Sequence, residues 1–199
     1  MDAKRTLPDE VYVTSFSARR DLLSQWRGYG SADGRFCIGF QLSQFSERDV
    51  LQLPRRVEYS AQAQRDQVRR ATDLACRAAL ETPGYATSGH GSSLAFHLRR
   101  IMCSFKHQGF EEEQEWRSVA TRSPVDDPGP VQFEAFRGMP RPFINMLAGS
   151  RTSSRLPVVE ICIGPSERKK AVFRATQLLC DRYGYGEAKV TETDTPFSR

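Results

Sequence analysis

Hydrophobic and polar positions follow two rhythms along this chain, and each switch between them marks an element. Val11–Phe16 has strand composition. The segment "SARRDLLSQW" after it starts like a short helix with Ser17 at the N-cap, and Gly28, Gly30 and Gly34 break it. Strand character resumes over Arg35–Leu42 and again briefly over Arg55–Ser60. Ala61–Glu81 then takes the helical period, with Val68, Ala71, Leu74, Ala75 and Ala78 on one face. "TPGYATSGHGSS" reads as a loop, after which Leu94, Leu98, Ile101 and Phe105 recur at helical spacing.

The rest of the chain is richer in strands. "QEWRSVAT" and "VQFEAF" read as two antiparallel strands around the turn-rich "RSPVDDPGP", with "RPFINML" as a further strand. Leu156–Gly164 is a nearly continuous apolar run, as expected deep in a sheet. A helix opens at Pro165 and Ser166, turns Ala171, Val172, Thr176, Leu179 and Cys180 inward and stops at glycine. "EAKVTET" returns as a strand, so the end of the chain is a βαβ unit with a right-handed crossover. The expected fold is α+β: one domain over residues 1–199, with a mixed, mostly antiparallel sheet and three main helices.

Composition narrows the picture a little. Apolar residues make up 39% and charged residues 27% of 199 positions, which is globular and excludes neither an enzyme nor a binding module. No apolar run approaches membrane-spanning length, and the first ten residues are polar, so no membrane association or signal peptide is expected. The five cysteines are odd in number and scattered, which suits reduced, mostly buried thiols in a cytoplasmic protein.

The net charge of +5 rests on 29 basic residues, of which five are lysine. Arginine suits bidentate recognition of phosphate or carboxylate, although a genome rich in arginine codons explains the bias equally well. The charge admits an anionic ligand such as a dinucleotide or nucleic acid without requiring one. Arg65, Arg69 and Arg70 fall on the first long helix, where a solvated face is the ordinary explanation. Cys103 and His107 stand four apart as if on one helix face, but a zinc site needs two more ligands, so no metal is expected. Ser166 precedes a helix without the glycine pattern of a phosphate loop and reads as an N-cap.

Two separated segments carry a family resemblance. Ser15-Phe16-Ser17, then Trp26-Arg27-Gly28-Tyr29, then Phe36-Cys37-Ile38-Gly39-Phe40 follow one another, and later come Lys106, Phe110, Glu113, Glu115, Trp116 and Arg117. This order resembles a bacterial family known as domain of unknown function 2971. The likeness continues at Arg137, at Ile163-Gly164-Pro165, and at Pro196-Phe197 with Arg199. Members of that family usually begin with a further tyrosine-rich strand and an Asn-Asp-Pro turn. The resemblance therefore implies an N-terminal segment missing or shortened here.

A hydroxyl-bearing strand, helices and then Glu-x-Glu on a late strand also look like the ADP-ribosyltransferase plan. That resemblance implies NAD as substrate, with Glu115 as the catalytic carboxylate and Glu113 as its partner. Ser15 and Ser17 become ribose-side contacts, Trp26 and Tyr29 stacking groups, and Arg27 and Arg117 partners of phosphate or carboxylate. The chemistry is reasonable, because positive charge grows on the sugar as nicotinamide leaves and a fixed carboxylate stabilises it. Strand alternation puts Glu113, Glu115 and Arg117 on one face. The superfamily's first-strand arginine or histidine has no clear counterpart. Without the resemblance, the same residues read as an ion-pair network in which Glu113 or Glu115 holds Arg117 or Arg27 while Trp116 fills core. A non-catalytic module for nucleic acid or protein, and an inactive family member, are the alternatives to the enzyme.

Overall fold

The computed structural model describes residues 10–29, 35–44, 53–81, 90–122, 131–145 and 155–195. In chain order its elements are β1 (Glu10–Ser17), α1 (Leu23–Gly28), β2 (Phe36–Phe40), β3 (Arg55–Arg56), α2 (Ala61–Glu81) and α3 (His90–Met102). They continue as β4 (Glu115–Arg122), β5 (Gln132–Phe136), β6 (Met139–Phe143), β7 (Val158–Ile163), α4 (Lys169–Tyr183) and β8 (Lys189–Glu192). Short 3₁₀ turns occupy Leu42–Gln44 and Gln108–Glu113. The fold is α+β. The chain divides into two compact units, Met1–Phe16 with Glu47–Ser150, and Ser17–Ser46 with Arg151–Arg199.

In the first unit β4 lies between β1 and β3. β3 runs antiparallel to β4, with Arg55 opposite Arg117 and Arg56 opposite Trp116. Val57, Tyr59, Val119 and Ala120 are buried in this unit. The helix read from Ala61–Glu81 is present residue for residue. Ser60 caps it by accepting from the Ala63 N–H at 3.3 Å, which satisfies a donor the helix cannot. Gln64 in its first turn donates to the carbonyls of Glu58 (2.7 Å) and Lys106 (2.9 Å) and so holds the two chain segments together. Val68, Ala71, Ala75 and Ala78 are half-buried as expected, whereas Leu74, at the margin of the apolar stripe, is 68% exposed.

Two expectations for this unit change. β5 does not form a hairpin with β4; among the described residues its partner is β6, Phe136 standing opposite Met139. The turn between them is Arg137-Gly138, both at positive φ (50° and 78°), the left-handed pair that matches the twist of a two-residue hairpin. The turn-rich "RSPVDDPGP" lies almost wholly outside the described residues. The second helix ends at Met102, so Cys103 and His107 do not share a helix face. His107 instead accepts the Gly109 N–H on Nδ1 at 3.0 Å and starts the 3₁₀ turn.

In the second unit β7 is central, antiparallel to β2 and parallel to β8. The apolar run at Leu156–Gly164 does lie inside a sheet, and α4 links the two parallel strands as the βαβ reading requires. Trp26, Cys162, Ile163 and Cys180 form the buried core, with Thr176 and Thr193 among them. Thr176 and Cys180 face inward on α4, but Ala171 is exposed and Leu179 is 56% exposed, since only one narrow stripe of the helix meets the sheet. Gly184 ends α4 at φ 77°, donating to the carbonyls of Asp181 and Cys180.

Ser17 is not the cap of α1. Its hydroxyl oxygen accepts from the Arg19 N–H at 3.0 Å, a local turn, and α1 begins at Leu23 after an extended Leu22 that caps with no side chain. Asp21 explains the delay. Its carboxylate accepts from Trp26 Nε1 (2.5 Å), from the hydroxyls of Thr193 (2.5 Å) and Thr195 (3.0 Å), and from the Asp194 N–H (3.0 Å). That anchors the segment before the helix to the end of β8. Ser166 likewise stands ahead of α4, accepting from the Arg168 N–H at 3.2 Å, rather than at its cap.

Candidate functional site

Glu115 opens β4 and is buried, its side chain 7% exposed. Its backbone N–H donates to Tyr59 Oη (2.8 Å) and its carbonyl accepts the Val57 N–H (2.9 Å), so the position is fixed from both sides. Arg117, two residues on and therefore on the same strand face, grips the carboxylate with Nε on Oε1 (2.8 Å) and Nη2 on Oε2 (3.0 Å). Lys106 Nζ reaches Oε2 at 3.0 Å and Glu113 Oε2 at 2.8 Å. The Ser15 hydroxyl hydrogen-bonds the Glu115 carboxylate as well.

Burial alone raises the pKa of Glu115. Hydrogen bonds from Arg117, Ser15 and Lys106 outweigh it and lower the value from 4.5 to about 2. Lys106 is likewise pushed down by burial but raised overall by its bonds to Glu113 and Glu115. Arg117 is raised, chiefly by Glu115. Its remaining nitrogen donates to the Cys103 carbonyl at 2.6 Å. The cluster is charge-assisted throughout, and its acid is ionised at neutral pH.

Several sequence expectations meet here. Ser15 and Glu115 do come together, and Glu115 does pair with Arg117. Glu113 joins them by a different route. It ends the 3₁₀ turn, and Gln114 at φ 43° redirects the chain before the strand starts, so Lys106 and not strand alternation links the two acids. Ser17, Trp26, Arg27 and Tyr29 belong to the second unit. There Trp26 is 5% exposed with its indole N–H committed to Asp21, while Arg27 and Tyr29 are exposed. Lys106, a residue of the family motif with no site role expected, is the bridge of the cluster.

Among the described residues of the first unit, two hollows lie one on each side of β4. One, of about 400 Å³, is lined by Arg55 and Arg56 of β3, Gln67 of α2, His97, Arg100 and Ile101 of α3, and Ser104, together with Arg117 and Val119 of β4 and Leu53. Among the described residues lining it there is no carboxylate. The other, of about 450 Å³, runs beside Val11–Ser15 of β1 and includes Ser118 and Ala120 of β4, Glu134, and Arg141 with the residues after it. Odd and even positions of β4 thus face different hollows. Apart from Arg117, no lining residue of the arginine cavity was a predicted site residue. Only the doublets Arg55-Arg56 and Arg99-Arg100 hinted at it, and a doublet does not say what lies opposite.

A family model described as "Protein of unknown function (DUF2971)" matches residues 25–118. Over that stretch, just under half of the chain, the protein is similar to that family. The match bears out the resemblance read from the sequence and contains Lys106, Glu113, Glu115 and Arg117, and every residue named in the lining of the arginine cavity except Val119. Ser15, Arg137 and Ile163-Gly164-Pro165 lie beyond the DUF2971 match, and Pro196-Phe197 with Arg199 also lies outside the described residues. Neither a curated protein nor a solved structure matches the chain. Among the described residues, no helix is long and apolar enough to cross a membrane.

Proposed function

We propose that this protein binds a phosphate-bearing anion in the arginine cavity of its first unit. One observation carries the reading: four arginines and a histidine converge on a concave space whose described lining holds no acid. Arg55 stands directly across the ladder from Arg117, and like charges in that relation repel. Glu115 neutralises Arg117, but no side chain among the described residues pairs with Arg55 or Arg56. An anion in the cavity relieves the repulsion, and guanidinium forks suit phosphate. Thermal unfolding with millimolar pyrophosphate, against sodium chloride at equal ionic strength, tests it. Binding at a hundred times Kd adds about 2.7 kcal/mol to stability, and Arg55→Gln with Arg56→Gln abolishes the gain. Equal melting in both salts sinks the proposal.

A second reading, ADP-ribosyl transfer from NAD, draws support from the Ser15 hydroxyl on Glu115. In it an ionised Glu115 stabilises the developing sugar cation and Glu113 assists. Ser15 contacts the ribose, and Arg117 serves the anionic part of NAD. Incubation with labelled NAD and cell extract decides it. Transfer lost in Glu115→Gln, with the fold retained by circular dichroism, supports the reading, while equal transfer or none from either protein removes it.

A further inference from the structure

The occupant of the arginine cavity can be specified further, on the footing of the anion-binding reading. We infer that it is a free mononucleotide, with an adenine base and one or two phosphates, and not a polynucleotide. The cavity's lining carries two chemistries. Arg55, Arg56 and Arg100 supply cationic forks, whereas Leu53, Ile101 and Val119 supply apolar surface of the kind a base covers. An inorganic anion uses only the cationic groups.

Gln67 and Ser104 stand in the same lining, and among the described residues neither side chain has a hydrogen-bond partner. A glutamine amide offers a donor and an acceptor side by side, the pair that matches the N6 and N7 edge of adenine. Guanine's donor-rich edge asks for an acceptor-only carboxylate, and the described lining has none. A hydroxyl such as Ser104 is suited to a ribose oxygen. Size agrees, since about 400 Å³ is near the lower end of the ~300–1,000 Å³ typical of small-ligand pockets. Single strands, by contrast, are held along open basic tracks with aromatic platforms. This hollow is a half-open pocket bordered by residues of β3, α2, α3 and β4, and no aromatic ring is among its described lining apart from the His97 imidazole.

Titration calorimetry on the full chain, with ADP, pyrophosphate and a twelve-nucleotide single-stranded RNA, tests the assignment. The expected result is one ADP per chain, bound at least tenfold more tightly than pyrophosphate. Gln67→Ala should remove that margin and leave pyrophosphate binding unchanged, while Arg55→Gln with Arg56→Gln weakens both ligands at least tenfold. Arg69→Gln, exposed on α2 and outside the lining, should change neither, with melting temperatures confirming that each variant folds. ADP binding no tighter than pyrophosphate, or RNA binding tighter than ADP, overturns the mononucleotide and leaves the anion site standing. Absence of binding by all three overturns both.

Discussion

Glu115 and Arg117 sit two residues apart on one strand and close a two-point fork, 2.8 and 3.0 Å, in a setting where the acid's side chain is 7% exposed and the arginine's 18%. Local pairs of this spacing are usually solvated and worth little. Burial and the further ligation by Lys106 and Ser15 change that. Breaking such a pair from one side leaves an uncompensated charge, at a cost of about 3–5 kcal/mol. Glu115→Gln should therefore destabilise by roughly that amount in urea titration. Arg117→Lys, which keeps charge but loses the fork and the Cys103 carbonyl, should cost about 1–3 kcal/mol, the penalty of leaving buried polar groups unsatisfied. A loss below 1 kcal/mol in Glu115→Gln would show the network to be ornamental.

Acid should unfold the two units through different carboxylates. Glu115 is lowered from 4.5 to about 2. Asp21 is raised by burial yet lowered overall from 3.8 to about 2 by bonds from Thr193, Trp26, the Asp194 N–H and Thr195. A carboxylate whose folded pKa is depressed contributes stability that is complete above its unfolded pKa and is lost as pH falls through the folded one. Stability attributable to these groups should be constant from about pH 7 to 4.5 and decline between about 4.5 and 2. Trp26 lies in the second unit and Trp116 in the first, so fluorescence of Trp116→Phe and Trp26→Phe proteins reports each unit separately. Asp21→Asn should flatten the decline seen by Trp26 and leave that seen by Trp116. Identical profiles with and without Asp21 would refute its role.

Gly164 is required by the Trp26 ring. A Cβ there meets Trp26 Cζ3 and Arg35 Cβ, each at 2.8 Å, and the indole cannot retreat because Asp21 holds its nitrogen. Overpacking of this kind costs about 1–3 kcal/mol. Gly164→Ala should lower the second unit's melting point accordingly, and Gly28→Ala, with no atom within 4 Å of the added carbon, serves as the control.

Thiol labelling should follow exposure and not position in the chain. Cys76 is exposed on α2, Cys162 is fully buried, and burial raises the thiols of Cys37, Cys103 and Cys162 above their usual value. Iodoacetamide at pH 8 should modify Cys76 first and Cys162 last, read by mass spectrometry of digests. Early loss of Cys162 would contradict its burial between β2 and β8.

The sequence was most legible where one rhythm ran long. α2 needed only its period, and β7 only its unbroken apolar run. Ser17 misled because a hydroxyl at a strand end serves a local turn as readily as a helix cap, and the decisive partner, Asp21, is set by threonines some 172 positions away. The pairing of Glu115 with Arg117 was visible in strand alternation, but Lys106, which joins Glu113 to it, was not. Of the arginine cavity, the sequence showed no more than two arginine doublets. Its residues come from β3, β4, α2, α3 and the chain beside them, and no window of sequence contains enough of them to show a lining.

The placement of β4 has a consequence of its own. Arg117 and Val119 front one hollow while Ser118 and Ala120 front the other, so a single thickness of main chain separates them. Any guest that shifts this strand by a fraction of an ångström reshapes the room next door. Two occupants need never touch in order to sense each other, and substitutions at odd and even positions offer independent handles on the two compartments.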